Sequence, residues 1–380
     1  MKIDLSSIPI IDHHAHALLR QPPVAPVDWL QFFTEGRGAE LVREQVPHLL
    51  FYRYAVKALA GLLNCAATPE AVFAERYRMG EKEWIRRLVQ DAAIAVMLVD
   101  YGFQGQENFS PDEMKALMPC RLEAVLRLET LAQELILLVE TCDDWLEAFS
   151  AQVSGARRAG YVALKSIIGY RTGLDIRSWP QPEVQAAFRA VKEEARREGK
   201  VRLAHPPLND ALVLRALEIA EQEEMPFQFH TGFGDTDADL RLVNPLHFRP
   251  LLQSERFAHV PWVLLHMGYP YVRESAYLAS VYRNVYVDLS LAIPFAVAEA
   301  PLLLTQIFGL APVNKVLYAS DGFSVPELFW LGAKVGRSTL AKVLEQMIAE
   351  DIVTSTEALM FAEQVLYRNA SQVYGVVLNP

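Results

Sequence analysis

Two patterns of hydrophobic and polar positions alternate along this chain. Short runs rich in β-branched and aromatic residues, each bounded by Gly, Pro or other turn residues, are typical of buried parallel strands. Longer amphipathic stretches separate them, such as 183–199, which carries Arg and Lys near its end and closes on glycine. We predict eight strands, at 8–14, 93–99, 123–128, 161–167, 227–231, 262–266, 285–289 and 315–320.

Eight strands with helical connections favour a (β/α)8 TIM barrel over an open doubly wound sheet. We therefore expect residues 1–380 to form one α/β barrel. The stretch 22–91 is helical in pattern, rich in aromatic residues and far longer than one crossover helix needs. This length predicts a helical insertion after strand 1. It either covers the barrel mouth and shapes a substrate pocket, or adds packing or an oligomer surface.

Composition and charge indicate which classes of binding partner are unfavourable for this protein. The net charge of −10 argues against a nucleic acid or an anionic membrane, because either would favour a basic face. The longest apolar region, 289–313, is interrupted by Pro and Glu, and the N-terminus lacks the apolar core of a signal peptide. Three widely spaced cysteines indicate reduced thiols. We expect a cytoplasmic protein with a small-molecule substrate; whether it forms a homo-oligomer is left open.

The ends of four predicted strands carry potential metal ligands. His14 and His16, two apart at the end of strand 1, share one strand face. His230, His266 and Asp321 each end a later strand, and the active site of a barrel lies at the C-terminal ends of its strands. Imidazole and carboxylate ligands suit Zn²⁺, Mn²⁺ or Fe²⁺. We predict a divalent metal, zinc, held by His14, His16, His230 and Asp321.

We predict Asp321, His266 and Lys165 as the catalytic residues. A metal lowers the pKa of bound water from about 15.7 towards 7, and Asp321 could take that proton and pass it to a leaving group; the structural alternative for Asp321 is a helix N-cap. His266 is a second-metal ligand, a base that orients water, or a core histidine. Lys165 lies in an apolar strand, where a charged amine is costly. It is a carbamate bridging two metals, an unmodified amine that binds an anionic substrate group, or a side chain that reaches solvent.

Other polar residues near the strand ends are candidates for substrate binding. Tyr170 and Arg171 follow the Lys165 strand, where a loop can reach the pocket, and an arginine suits a substrate carboxylate. Arg127 and Glu129 share a strand face in the predicted pattern. They form either a buried ion pair or a clamp that binds the substrate. Acidic residues at 235, 237 and 239 have the spacing of a calcium loop, but the rest of that signature is absent, so we interpret them as loop and cap residues.

The motif Asp12-His13-His14-Ala15-His16, with Lys165, His230, His266 and Asp321, resembles the amidohydrolase superfamily, in particular its amidohydrolase-2 branch. Segments 164–174, 230–235 and 244–247 are similar to the nodulin-like amidohydrolase domain found ahead of glutamine-synthetase-like domains in plants and fungi. The resemblance implies a metal-dependent barrel that usually hydrolyses C–N or C–O bonds. Some members of the branch instead decarboxylate aromatic or unsaturated acids at one zinc.

The sequence thus predicts a metal-dependent hydrolase that cleaves an amide, ester or lactone bond of a small, carboxylate-bearing substrate. Two alternatives remain: a mononuclear-zinc decarboxylase, and a barrel without turnover that serves as a binding or regulatory module. The metal count is one, or two if Lys165 is carbamylated. The sequence does not determine the substrate.

Overall fold

Eight parallel strands form a barrel in which each strand pairs with the next along the chain. The computed structural model describes residues 2–103 and 107–378. The strands are Ile10–His16 (β1), Ile94–Asp100 (β2), Arg121–Arg127 (β3), Tyr161–Ser166 (β4), Phe227–Phe229 (β5), Trp262–Leu264 (β6), Val285–Asp288 (β7) and Val316–Leu317 (β8). The predicted (β/α)8 barrel and its eight strands are confirmed. The strands β4 to β8 are shorter than predicted, because the chain leaves the hydrogen-bonded ladder before the predicted end; after β6, for example, it turns into the 3-10 segment Leu265–Gly268.

The barrel closes between β1 and the chain that follows β8. The amide of Asp321 donates to the carbonyl of His14 (3.0 Å), and the amide of His16 donates to the carbonyl of Gly322 (2.8 Å). Apolar side chains fill the interior at the opposite end, where Ile11, Val263 and Leu317 pack with Tyr374 from the C-terminal helix. The end of the barrel opposite the polar strand ends is therefore closed by apolar side chains.

Helices surround the barrel, with a continuous apolar core between them and the strands. They are Pro26–Trp29 (α1), Ala39–Gln45 (α2), Leu50–Leu63 (α3), Pro69–Met79 (α4), Glu81–Asp91 (α5), Pro111–Leu117 (α6), Leu128–Leu138 (α7), Cys142–Ser154 (α8), Gln181–Glu198 (α9), Pro206–Glu223 (α10), Arg249–Leu252 (α11), Val272–Val281 (α12), Ala292–Phe295 (α13), Ala300–Phe308 (α14), Pro326–Ala349 (α15), Ser355–Glu363 (α16) and Asn369–Tyr374 (α17). Within the described ranges, none of these helices has the length and hydropathy of a membrane span. The cytoplasmic location stays a prediction.

The helical insertion after β1 consists of α1 to α5 and two short 3-10 turns. Its aromatic residues pack on one another; the rings of Trp29 and Phe33, for example, lie 4.6 Å apart. A buried ion pair between Arg76 of α4 and Glu327 of α15 (2.6 Å) ties the insertion to the barrel's last long helix. Residues 27–43 line the cavity at the C-terminal face of the barrel, which favours a role in covering the mouth.

Candidate metal centre

Strand register brings the polar residues of four neighbouring strands together. His16 at the end of β1 lies opposite Asp100 at the end of β2, and Arg127 at the end of β3 lies opposite Lys165 on β4. All four side chains are buried. The C-terminal ends of these parallel strands therefore bring polar residues together at one face of the barrel.

Three potential metal-ligand atoms converge at this face. His14 Nε2 lies 3.1 Å from Asp321 Oδ1, and His16 Nε2 lies 3.2 Å from the same oxygen. In the described part of the chain, these three residues form a group whose ligand atoms all lie within 4.8 Å of one another. His16 Nδ1 is 3.1 Å from the carbonyl oxygen of Asp100. Donation of an Nδ1 proton to that carbonyl leaves the Nε2 lone pair free for a metal.

Burial and charge set the protonation states that a metal needs. Burial, helped by the nearby Lys165, lowers the pKa of His14 to about 3. Burial alone would raise the pKa of Asp321, but the imidazoles of His266 and His14 outweigh it and hold this pKa well below its usual range. The site therefore presents a neutral imidazole and an ionised carboxylate, the forms in which these groups bind metals.

His230 and His266 form a second pair beside these three residues. His266 Nε2 lies 2.9 Å from His230 Nδ1, and His266 Nδ1 lies 2.8 Å from Ser290 Oγ and 3.7 Å from Asp321 Oδ2. His230 Nε2 is buried and has no hydrogen-bond partner among the described residues. His230 thus lines the same cavity but lies outside the three-residue group. His266 contacts polar site residues, which favours its metal-ligand and water-orienting alternatives over a core role.

The backbone at His266 and Asp321 is in the left-handed region, with φ of 66° and 53°. Such a conformation costs a non-glycine residue on the order of 1–3 kcal/mol and clusters at functional sites. His266 lies two residues after the end of β6, and Asp321 lies four residues after the end of β8. Asp321 is not a helix N-cap: α15 begins later, and its N-cap is Val325. The structural alternative for Asp321 is wrong.

Lys165 is buried, with 1% of its surface exposed, and its Nζ lies 3.0 Å from His14 Nε2. Burial lowers the pKa of its amine to about 8, although the carboxylates of Asp100 and Asp321 oppose the shift. The alternative in which Lys165 reaches solvent is wrong. An unmodified amine and a carbamate both remain open.

Of the two alternatives for Arg127 and Glu129, the buried ion pair is wrong. Arg127 instead forms a two-point ion pair with Asp100, at 2.8 and 2.7 Å. The β3 strand ends at Arg127, so Glu129 lies in α7, where it accepts hydrogen bonds from Ser166 Oγ (2.6 Å) and the amide of Ile167 (2.9 Å). Asp100 lies at the end of β2, a residue that the sequence analysis did not identify. Its position at a strand end, like that of His16, was the signal that could have identified it.

A cavity of about 930 Å³ opens above these residues. The ring of Tyr170 lies 4.0 Å from that of His230. Arg171 also lines the cavity, and its Nε is buried with no hydrogen-bond partner in the part of the chain that is described. Its neighbours at the rim are already paired: Asp235 with Arg37, and Asp237 with Arg202. Both aspartates thus behave as the loop residues that the sequence predicts.

The insertion adds Glu35 to the cavity wall, a residue that sequence reasoning missed. Burial and the nearby charges of Asp321 and Asp235 raise the pKa of this carboxyl to about 8. No spacing or motif in the sequence marks Glu35, because its proximity to Asp321 arises only when the insertion folds over the barrel.

The profile of the family described as "Amidohydrolase" matches residues 172–376. The protein fluG of Emericella nidulans is 30% identical over 96% of this chain. The chain spans about half the length of that relative, 45%.

Solved structures share the fold. A candidate metal-dependent hydrolase from Lactobacillus casei superposes with a TM-score of 0.89 at 28% identity, over 99% of this chain and 98% of the other. A uronate isomerase from Thermotoga maritima superposes with a TM-score of 0.70 at 14% identity, over 97% and 95% of the two chains. The second likeness concerns the fold alone.

Proposed function

The chain belongs to the amidohydrolase family, and from this we propose that it is a metal-dependent hydrolase that cleaves an amide, ester or lactone bond of a small substrate bearing a carboxylate. The observation that carries the proposal is the convergence of His14 Nε2 and His16 Nε2 on Asp321 Oδ1 at the C-terminal face of the barrel. Active sites of this fold are built at that face.

The residues present fit a divalent metal. The imidazoles of His14 and His16 and the carboxylate of Asp321 are suitable ligands for Zn²⁺, and His230 offers a buried Nε2 without a partner among the described residues. We propose His14, His16, His230 and Asp321 as the ligands and zinc as the metal. When bound, such an ion supplies Lewis acidity and lowers the pKa of a water molecule.

The chain's own residues supply the proton transfers. Oδ1 of Asp321 faces the two imidazoles, whereas Oδ2 lies on the side of His266, 3.7 Å from its Nδ1. Oδ2 is therefore the oxygen that accepts a proton from the attacking water and returns it to the leaving group. His266, held by Ser290, orients the water and shares the proton.

Substrate binding is assigned to Arg171, Tyr170 and Arg127. Arg127 contributes to the cavity wall with its guanidinium held in place by Asp100, and the remaining arginines of this wall, apart from Arg171, also pair with carboxylates. No ion pair of the Arg171 guanidinium is present in residues 2–103 and 107–378, so it is available for a substrate carboxylate. Tyr170 packs against His230 and limits the space around the reacting bond.

Metal analysis tests the site. We expect the purified protein to hold about one zinc per chain, and a His14→Ala/His16→Ala variant to lose it. The exposed His259, which pairs with Glu221, offers a control: His259→Ala keeps the metal. Stoichiometric zinc in the double variant would contradict the ligand assignment.

The state of Lys165 is tested on the same sample by intact mass and metal stoichiometry. Two metals per chain, together with the added mass of CO₂ on Lys165, would establish a carbamate bridge. One metal and an unmodified lysine would establish the free amine, which lies 3.0 Å from His14.

A substrate screen tests the reaction. Amides, lactones and aromatic acids are offered to the zinc-loaded protein, with ammonia, acid and CO₂ as readouts. Hydrolysis releases ammonia or acid and is abolished by Asp321→Asn. Release of CO₂ alone would assign the decarboxylase alternative, and no turnover of any class would favour the binding module.

A further inference from the structure

A second cavity of about 550 Å³ lies beside the metal cavity. Its wall combines the insertion, through Phe33 and Phe51, with Phe233 from the loop after β5 and Phe295 from α13. The four rings form a chain of contacts: Phe33–Phe51 at 5.4 Å, Phe51–Phe295 at 5.0 Å and Phe233–Phe295 at 6.0 Å. The insertion and two barrel loops therefore build this cavity together.

The two cavities differ in chemistry. The metal cavity is lined by Lys165 and by arginines, including Arg171, which has no ion pair within the described residues. The described wall of the second cavity contains no lysine, arginine or histidine. The wall also carries the carboxylate of Glu299, which lies near Tyr269 and helps to raise the pKa of that phenol. An anionic group finds no counter-charge there, whereas an apolar group is matched by the aromatic and aliphatic wall.

The two cavities meet at one short segment. Residues 34–36 line both of them. Glu35 in this segment lies close enough to Asp321 for the charge of Asp321 to raise the pKa of the Glu35 carboxyl. The two cavities are thus adjacent, with residues 34–36 at the boundary between them.

We propose that the second cavity is a subsite of the same active site and takes an uncharged apolar group, aliphatic or aromatic, of the substrate. This inference rests on the proposed function, in which the anionic end of the substrate binds Arg171 in the metal cavity. The substrate class is then an amide, ester or lactone with a carboxylate at one end and an apolar group at the other.

Binding of straight-chain carboxylic acids to the zinc-loaded protein tests the subsite. Acetate, butyrate, hexanoate and octanoate are titrated by calorimetry. Because each buried methylene contributes a roughly constant free energy, we expect the affinity to rise by about three- to four-fold per methylene once the chain reaches the second cavity.

Two variants test whether the rise in affinity with chain length arises in the second cavity. Ala296 is half-buried and lines only the second cavity, so Ala296→Trp should fill the space and abolish the gain for long acids while leaving acetate binding unchanged. Leu50, 60% exposed at the same wall, provides a variant that is easily tolerated: Leu50→Asp adds a charge there and should reduce octanoate affinity at least ten-fold. Ala151→Trp, at an exposed position on α8 that lines neither cavity, is the matched control and should bind every acid as the parent does.

The outcomes separate this inference from the proposed function. If the parent protein binds no zinc or no acetate, the proposed function is contradicted. If zinc and acetate bind but affinity does not depend on chain length, the subsite is wrong and the proposed function stands. The subsite is also wrong if the rise in affinity with chain length persists in both Ala296→Trp and Leu50→Asp. It is wrong as well if octanoate binds without displacing acetate.

Discussion

Arg171 differs from the other arginines that line the metal cavity in having no carboxylate partner among the described residues. Burial and the neighbouring charges of Arg202 and Arg127 lower the pKa of its guanidinium, yet it stays charged near neutral pH. An unpaired, partly buried cation is stabilised when an anion binds. A substrate carboxylate would supply that partner.

We therefore expect Arg171→Met to raise the KM for a carboxylate-bearing substrate roughly 30-fold, because a hydrogen-bonded charge contributes about 2 kcal/mol. The zinc content should not change. Arg177→Met is the control, since Arg177 is exposed and packs over Trp179 outside the cavity. An unchanged KM in Arg171→Met, measured by steady-state kinetics, would remove Arg171 from the binding site.

A second test at the scale of single residues uses Glu35, whose raised pKa should make the stability of the fold depend on pH. Its pKa is raised from 4.5 to about 8 in the folded protein, so between these values the folded state holds a proton that the unfolded state has released. Stability must then fall as pH rises through this window. In the metal-free protein, Glu35→Gln should flatten the decline of Tm between pH 5 and 8, as measured by calorimetry. Parallel Tm curves for parent and variant would show that the Glu35 carboxyl is not perturbed.

At the scale of elements, a buried ion pair joins the insertion to the barrel. Arg76 of α4 is bound by Glu327 of α15 and by Glu81, at 2.6 and 3.3 Å. Arg78, two residues later on the same helix, is exposed and pairs only with Glu75. One helix thus offers a buried and an exposed arginine for comparison.

Removing one partner of a buried ion pair leaves the other charge uncompensated, so we expect Arg76→Ala to lower the free energy of unfolding by about 3 kcal/mol. Arg78→Ala should have little effect, because exposed ion pairs are screened by solvent. Denaturant unfolding followed by circular dichroism measures both variants. Equal losses in the two would mean that the Arg76–Glu327 pair does not hold the insertion in place.

The strands could be predicted from the sequence more fully than the insertion could. Each strand carries its own periodic pattern and turn residues, so β1 to β8 were all recognised from local signals. The insertion was predicted as helical, but not the contact of Glu35 with the metal cavity or the ion pair of Arg76. These depend on residues more than 200 positions away, Asp321 and Glu327, and no local pattern encodes such a pairing.

At the scale of the whole molecule, the proposed metal couples β1 to the chain after β8. His14 and His16 belong to the first strand, and Asp321 follows the last. A ligand that binds only the folded state stabilises it by an amount set by its concentration and affinity. Metal binding at this seam should therefore stabilise the closed barrel.

We expect removal of the metal by a chelator to lower the free energy of unfolding by about 2.7 kcal/mol, relative to protein in free zinc at 100 times the dissociation constant. The His14→Ala/His16→Ala variant is the control, since its Tm should not respond to zinc or chelator. A chelator-insensitive Tm in the parent, measured by scanning calorimetry, would argue against a metal at the seam.

The sequence by itself determined the barrel, its strand order and the residues that end its strands, because alternating periodicity and turn residues act over a few positions. It therefore identified His14, His16, Lys165, His230, His266 and Asp321 as one group. Only the tertiary structure decided which of them converge and with which partners: Arg127 with Asp100 rather than Glu129, Lys165 buried against His14, and Glu35 beside Asp321. Distances between side chains from different strands depend on register, backbone conformation and packing, which act across the whole chain.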